Sequence, residues 1–215
     1  MQNNNAIFST AYLPPIAYLL FFLRADKVYI ECYENYIKQT YRNRCVIPTA
    51  NGLLPLTIPI KKGGLHHCPI NQIQIDYTQP WQRTHWRAIE AAYNTSPFFL
   101  YYRDYFEDFY TQQTISTLFE YNMQLFHLIL KLFGIEKKYI LTSEYVIVYD
   151  KKTEDFRQSI YPKQKFTAAI FPTYKQVFFD KLGFIPNMSC IDLLFNEGKF
   201  AKDYLINLVM FCDIV

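Results

Sequence analysis

The segment from Tyr33 to Cys45 concentrates polar chemistry between two apolar stretches. Its sequence, YENYIKQTYRNRC, carries the cations Lys38, Arg42 and Arg44 among amide and phenol side chains. Guanidinium and ammonium groups donate hydrogen bonds to phosphates and carboxylates, and amides can both donate and accept. These residue types therefore predict a site for an anionic ligand, without naming a reaction.

Within that segment, residues 41–44 (YRNR) form the strongest candidate. If Arg44 begins a strand, Arg42 and Arg44 project to the same face and can hold one anion together. Asn43 would then orient the substrate, and Tyr41 would stack on a ring. The alternative is a solvated strand edge whose charges prevent pairing with another sheet.

Two further groups can join this site. Lys61 ends the second predicted strand of a hairpin, where it can help to hold a phosphate or carboxylate, although lysines there are more often part of a solvated turn. Trp81 and His85 lie one helical turn apart, so Trp81 can stack on a ring while His85 acts as general acid or base. A histidine in such a position more often makes a structural hydrogen bond.

Signatures of metal and nucleotide chemistry are missing from the sequence. His66, His67 and Cys68 are neighbours on an irregular loop and cannot easily face one ion, so we predict no metal site. The chain has no phosphate-binding loop, GxGxxG, GxSxG or HExxH motif and no kinase signature. The residues indicate no particular cofactor.

The remaining titratable side chains have structural interpretations. His127 lies in an apolar helical stretch and is predicted to be a core or boundary histidine. Asp192 and Glu197 are predicted to be solvated acids of an ordinary helix. The five cysteines have no CxxC spacing, so we predict reduced, buried thiols.

A βαβ unit opens the set of elements that position these residues. We predict a strand over 7–12, a helix over 16–23 that follows Pro15, and a strand over 27–32, which together indicate a parallel pair. Asn51 and Gly52 between two apolar runs predict a hairpin. The hairpin strands are predicted over 44–48 and 53–60. Further strands are predicted over 70–77, 139–142, 145–149 and 167–171, and residues 151–164 are predicted to be mostly loop. Further helices are predicted over 81–93, 98–109, 114–133, 189–196 and 199–212.

Composition sets the broad class. The 215 residues are 51% hydrophobic and 19% aromatic, which is enough for a ring-rich core in one domain spanning residues 1–215. The predicted fold is α/β, with a βαβ start, a mixed but mostly parallel sheet, a β-hairpin insertion and flanking helices.

The net charge of +3 is dispersed and does not favour binding to nucleic acid. The apolar run 16–23 is too short for a signal peptide or a membrane span, so we expect a cytoplasmic protein.

Six segments, in order along the chain, resemble the WbqC-like protein family. They are residues 12–15 (YLPP), 25–28 (ADKV), 41–44 (YRNR), 56–62 (LTIPIKK), 81–85 (WQRTH) and 184–196 (FIPNMSCIDLLFN). Such proteins are associated with gene clusters for bacterial surface polysaccharides of the O-antigen type. The resemblance implies a transferase that moves an acyl or aminoacyl group to an amino sugar or nucleotide sugar. Its substrate would be a small anionic molecule, and a homo-oligomer is compatible with this role.

This sequence departs from longer family members at two places. Their opening His-Gln-Pro is replaced here by residues 9–12 (STAY), and a Gly-rich segment is missing around residues 144–156. The departures keep open an alternative, a non-catalytic ligand-binding or scaffold protein of the same pathway. The opening pattern of those longer members, a strand followed by His and Pro and then a helix, is also similar to that of adenylyl-transferring α/β folds, in which such a turn holds phosphates.

Overall fold

Four parallel strands form the main sheet of the protein. The computed structural model describes residues 4–61, 67–147, 152–164 and 170–212. The strands are β1 (Asn5–Ser9), β2 (Lys27–Glu31), β5 (Ile140–Leu141) and β6 (Thr153–Asp155). The strand order is β5-β2-β1-β6, and every pairing in this sheet is parallel.

The predicted βαβ start is confirmed. Helix α1 (Ile16–Arg24) connects β1 to β2, which pair from Asn5 opposite Lys27 to Ser9 opposite Glu31. Phe8 and Ile30 are fully buried because both faces of these central strands are covered.

The predicted hairpin is also confirmed, as a separate antiparallel sheet. Strands β3 (Arg44–Thr49) and β4 (Gly52–Thr57) pair in register from Arg44 opposite Thr57 to Thr49 opposite Gly52. Gly52 has a φ of 108°, a backbone conformation that glycine adopts without strain. The fold class is therefore α/β, as predicted.

Helices pack around the sheets and supply most of the aromatic core. The helices after α1 are α2 (Trp81–Tyr93), α3 (Phe99–Thr111), α4 (Leu118–Leu132), α5 (Phe179–Leu182), α6 (Cys190–Glu197) and α7 (Ala201–Cys212), with short 3-10 helices at Ile70–Gln72 and Gly198–Phe200. Helix α7 and helix α6 both pack against α1, and α2 packs against α3.

Two regions differ from the sequence prediction. Residues 70–77 form no strand: Ile70–Gln72 is a 3-10 helix, and Gln74 and Ile75 make isolated bridges to different partners. Their alternating isoleucines reflect burial in the core rather than regular pairing. Conversely, β6 lies within the predicted loop 151–164. Its polar sequence TED fits an edge strand, which pairs on one side only.

Other predicted strands fall partly outside the described residues. Tyr145 to Ile147 is not a strand, and residues 148–149 lie outside the described ranges. For the strand predicted at 167–171, residues 167–169 lie outside them, and Ile170 and Phe171 are not extended strand.

Two predictions about titratable residues are wrong. His127 is exposed, because it lies on the solvent side of α4. Asp192 is fully buried, and its Oδ2 accepts hydrogen bonds from the Tyr174 hydroxyl at 2.5 Å and from Gln176 Nε2 at 2.8 Å. Burial raises the pKa of Asp192 despite these bonds. Its partners precede it by 16 and 18 residues, which helical periodicity within α6 does not reveal.

The described cysteines and helices bear on two further expectations. Cys32, Cys45 and Cys190 are free and buried, as predicted, whereas the free Cys68 is half-buried. Among the described residues, no helix combines the length and apolar character that crossing a membrane requires.

Candidate functional site

The connection order of the parallel strands creates a crevice beside β1. The chain runs from β1 to β2 and β5 on one side, then returns to place β6 on the opposite side of β1. The loops that leave β1 and β6 therefore diverge at the carboxyl edge of the sheet. Open α/β sheets bind ligands at such switch points.

A cleft lies at this position and is called here the switch-point cleft. Its volume is about 280 Å³, and residues 37–40 and 42 line it together with 157–158 and 160–163. A small inner cavity continues it, because Arg42, Arg157 and Ile160 line both spaces. The inner cavity is also lined by Ser9 at the end of β1, by Thr10 just after it, and by Tyr41.

Arg42 is anchored in the wall of this cleft by a buried ion pair. Its Nε and Nη2 donate to the two carboxylate oxygens of Glu34 at 2.8 and 2.5 Å, and Nη2 also donates to the Arg157 carbonyl at 3.0 Å. Both side chains are almost completely buried. Arg42 Nη1 makes no hydrogen bond to any described residue, so this nitrogen stays available to a ligand.

Arg157 is a second buried cation that the sequence did not indicate. Its Nε donates to Asp155 Oδ1 at 3.0 Å, and its Nη1 lies 3.4 Å from Glu31 Oε2. Burial alone would raise the pKa of Asp155, but the hydrogen bonds and charge of Arg157 outweigh it and lower that pKa. The available signal was Glu31 itself, because a carboxylate at the end of a buried strand requires a cationic partner.

The outer part of the cleft carries two lysines and a tyrosine. Lys38 and Lys163 are exposed, one from each of the two lining segments, and neither makes an ion pair with a described residue. The Tyr161 ring is 44% exposed beside them. The cleft thus has exposed cations at its mouth and buried cations at its base.

The tetrapeptide 41–44 does not act as one unit. Tyr41 lines the inner cavity, and burial raises its pKa to about 12, so it is a neutral donor. Asn43 is buried and donates from Nδ2 to the Ile58 carbonyl at 2.9 Å. Arg44 donates from Nε across the hairpin to Thr57 Oγ1 at 3.0 Å.

Arg44 does not line the switch-point cleft as Arg42 does, so the joint binding of one anion by Arg42 and Arg44 stays a prediction. Strand β3 begins at Arg44, and the residues just before it form a turn. The alternation of side chains along a strand does not extend back to Arg42, which turns inward to Glu34.

Trp81 and His85 lie in a different place, a cleft of about 590 Å³ between β4 and α2. His85 Nδ1 is 3.0 Å from the Tyr12 hydroxyl, which is 2.8 Å from the Tyr110 hydroxyl. Burial lowers the pKa of His85 to about 4, so its imidazole is neutral near pH 7. Its role in catalysis stays a prediction, and it has no place in the switch-point cleft.

The remaining predicted residue, Lys61, is exposed and lines neither cleft. Its backbone N–H donates to the Gln74 carbonyl at 3.0 Å. The structure thus brings Lys38, Tyr41 and Arg42 together and places Trp81 and His85 elsewhere. Within the described ranges, no group of three or more potential metal ligands is found, and His66 lies outside those ranges.

The amino end of α1 is occupied by the protein itself. The Ala17 amide donates to Asn187 Oδ1 at 2.7 Å, and the Ile16 amide donates to the Met188 carbonyl at 3.0 Å. The turn after β1 therefore does not present these amides to a phosphate, and the similarity to adenylyl-transferring folds does not extend to their phosphate site. An anion in the switch-point cleft would have to be held by groups other than these two amides.

Comparison with known proteins gives two matches. The model of the WbqC-like protein family matches residues 10–163, which include both segments that line the switch-point cleft. An uncharacterised protein of Mycobacterium tuberculosis, Rv1507c, is 28% identical over 224 residues, covering 93% of this chain and 96% of the relative. No solved structure gives a significant match. Because the family match extends over well more than half of the chain, the protein belongs to the WbqC-like family.

Proposed function

We propose that the protein is a transferase of bacterial surface-polysaccharide biosynthesis that binds an anionic sugar substrate in the switch-point cleft. The transferred group would be acyl or aminoacyl, and the acceptor an amino sugar or nucleotide sugar. Family membership supports the pathway, and the charge and position of the cleft support the class of substrate.

The observation that carries this proposal is the charge of the cleft lining. Lys38, Arg42, Arg157 and Lys163 all line it, and none of the described lining residues is acidic. Cationic walls in a concave site concentrate anions and speed their arrival. The cleft also lies at a strand switch point, which is where open α/β sheets bind small molecules.

The side chains suit distinct parts of such a substrate. Lys38 and Lys163 would hold the anionic group, and the exposed Tyr161 ring would pack against the sugar. Arg42 Nη1 would donate to an oxygen that reaches the base of the cleft. In acyl transfer, the acceptor nitrogen bonds to the acyl carbon, and the bond to the donor's leaving atom breaks with the electron pair staying on that atom. The nitrogen proton passes to the leaving group or to solvent. A fixed guanidinium can stabilise the oxyanion formed in that step.

Removing the Tyr161 ring tests the assignment of the cleft. We expect Tyr161→Ala to weaken binding of UDP-glucose or an amino-sugar nucleotide about tenfold, since it removes the aromatic surface beside the lysines. Tyr105→Ala is the matched control, because that ring is 47% exposed on α3 and lies outside the cleft. Isothermal titration calorimetry gives both affinities, and equal effects of the two substitutions would refute the assignment.

A non-catalytic binding or scaffold role in the same pathway is the second candidate. It is favoured by the described lining of the cleft, which contains no histidine, cysteine or carboxylate to serve as a base. Mass spectrometry of reactions with acyl donors and amino-sugar acceptors separates the two roles. Product formation that Tyr161→Ala reduces supports the transferase. Ligand binding without turnover, together with a stable partner in a pull-down, supports the second role.

A further inference from the structure

We infer that the switch-point cleft recognises a doubly charged phosphoryl group, as a phosphate monoester or a diphosphate, rather than a single carboxylate. This inference rests on the proposed function, because it specifies the anion that the same cleft binds. The evidence for it is that the arginines in the lining are paired with carboxylates, whereas the lysines are not paired with any described residue.

The two arginines are compensated by carboxylates behind them. Glu34 accepts two hydrogen bonds from Arg42, and Glu31 and Asp155 face Arg157. These three carboxylates lie outside the lining of the cleft. Three carboxylates thus face two guanidinium groups, so the arginines shape the base of the site and the unbalanced positive charge of the lining comes from the lysines.

The lysines at the mouth are not compensated in this way. Neither Lys38 nor Lys163 has an acidic partner within salt-bridge distance among the described residues, yet both line one cleft of about 280 Å³. An anion bound between these two exposed lysines would interact favourably with both charges. A phosphoryl group with about two negative charges balances both lysines, whereas a carboxylate balances one.

The base of the cleft supplies one further donor. Arg42 is 3% exposed, and two of its guanidinium nitrogens are held by Glu34, which fixes the orientation of the third. Nη1 has no hydrogen-bond acceptor among the described residues. One phosphoryl oxygen would accept a hydrogen bond from Arg42 Nη1 while the other oxygens face the lysines, because a phosphate has acceptor oxygens in several directions.

The volume limits how much of the ligand lies inside. Pockets that enclose whole drug-sized molecules span roughly 300–1,000 Å³, so this cleft is at the small end. It suits a phosphoryl group and an attached sugar ring. A nucleoside, where one is present, would extend into solvent past Tyr161.

The test compares four ligands that share a hexose: glucose 1-phosphate, UDP-glucose, glucuronate and glucose. Calorimetry on the full chain should show binding of both phosphorylated sugars, at least tenfold weaker binding of glucuronate, and no binding of glucose. The tighter of the two phosphorylated ligands identifies the monoester or the diphosphate as the natural group. Glucuronate binding as tightly as either would overturn the phosphoryl inference while leaving an anion cleft intact. No binding of any charged ligand would refute the cleft itself.

Lysine variants then assign the contacts. We expect Lys38→Gln and Lys163→Gln each to weaken binding of the phosphorylated sugars about tenfold, and to reduce its dependence on salt. Lys175→Gln is the control, since it removes the same charge from an exposed position outside the cleft. Because all three positions are exposed, the variants should fold. Phosphorylated ligands that bind the two cleft variants no more weakly than the control would contradict the inference.

Discussion

His85 shows how burial decides what an ionisable residue can do. In sequence it has the features of a proton shuttle, but in the structure it faces Tyr12 and has its pKa lowered to about 4 by burial. A group with that pKa is uncharged over the physiological range. Its clearest measurable effect is therefore on stability rather than on turnover.

We predict that His85 makes the protein less stable in mild acid. In the unfolded chain the pKa of His85 is about 6.5. Between about pH 6.5 and 4, His85 is therefore protonated in the unfolded state but not in the folded state. The free energy of unfolding should fall across that window, by on the order of 3 kcal/mol in total, and this contribution should be constant above it.

Urea unfolding at several pH values measures the effect. His85→Gln should flatten the decline between pH 6.5 and 4, whereas the same substitution at the exposed His127 serves as control. A His85→Gln variant with the pH dependence of the wild type would show that burial does not suppress protonation at this site.

The cationic residues that line the switch-point cleft show that only those lying close together in sequence could be predicted as parts of one candidate site. Lys38 and Arg42 were found because they lie together in one segment rich in cations. Arg157 was missed because its partner Glu31 is 126 residues away. Lys163 was missed for the same reason, since only the return of β6 beside β1 brings its segment to the cleft.

The amino end of helix α1 depends on a residue far along the chain. Pro15 precedes the helix and has no side chain that can cap it, so Asn187 supplies the missing acceptor to Ala17. Asn187 has a φ of 55°, a left-handed conformation that asparagine tolerates better than most residues. A single residue thus combines a backbone requirement with a capping role.

Substitutions at position 187 separate the two roles. Asn187→Gly keeps the backbone conformation but removes the acceptor, and should cost about 1 kcal/mol of unfolding free energy. Asn187→Ala should cost about 1 kcal/mol more, because alanine is strained at positive φ. Asn187→Asp retains the acceptor oxygen and should stay closest to the wild type. Chemical denaturation gives these values, and a glycine variant as stable as the wild type would rule out the cap.

Elements with strong local signals were predicted, and those shaped by distant contacts were not. The hairpin followed from Asn51 and Gly52, and α1 from an apolar run after Pro15. Strand β6 gave no signal because its three residues are polar and only β1 makes it a strand. The isoleucines near Ile73 gave a false strand signal, since burial alone also produces alternation.

The family match ends at residue 163, but the packing of the molecule continues beyond it. Helix α7 packs on α1, and the start of α6 contacts the turn before α1 through the Cys190 amide and the Pro14 carbonyl at 2.8 Å. Leu205 and Leu208 are fully buried. Removing these helices would expose apolar surface on the βαβ unit itself.

We predict that residues 1–163 alone do not form a stable fold and that the full chain unfolds in one cooperative transition. Circular dichroism and fluorescence should report the same midpoint for the full chain. The truncated chain should lack the dispersed amide signals of a packed protein in NMR spectra. A well-dispersed spectrum of residues 1–163 would show that the single domain predicted for residues 1–215 is divisible.

The amides at the start of α1 are bonded to the protein itself, and this affects how substitutions can change ligand binding during evolution. Where a helix start and glycine-rich turn hold a phosphate, the contacts come from the backbone and survive most substitutions. Here Asn187 takes that position, and the candidate contacts in the proposed cleft are exposed side chains such as Lys38 and Lys163. Under the proposed function, a single substitution at either surface position would change ligand affinity without disturbing the core.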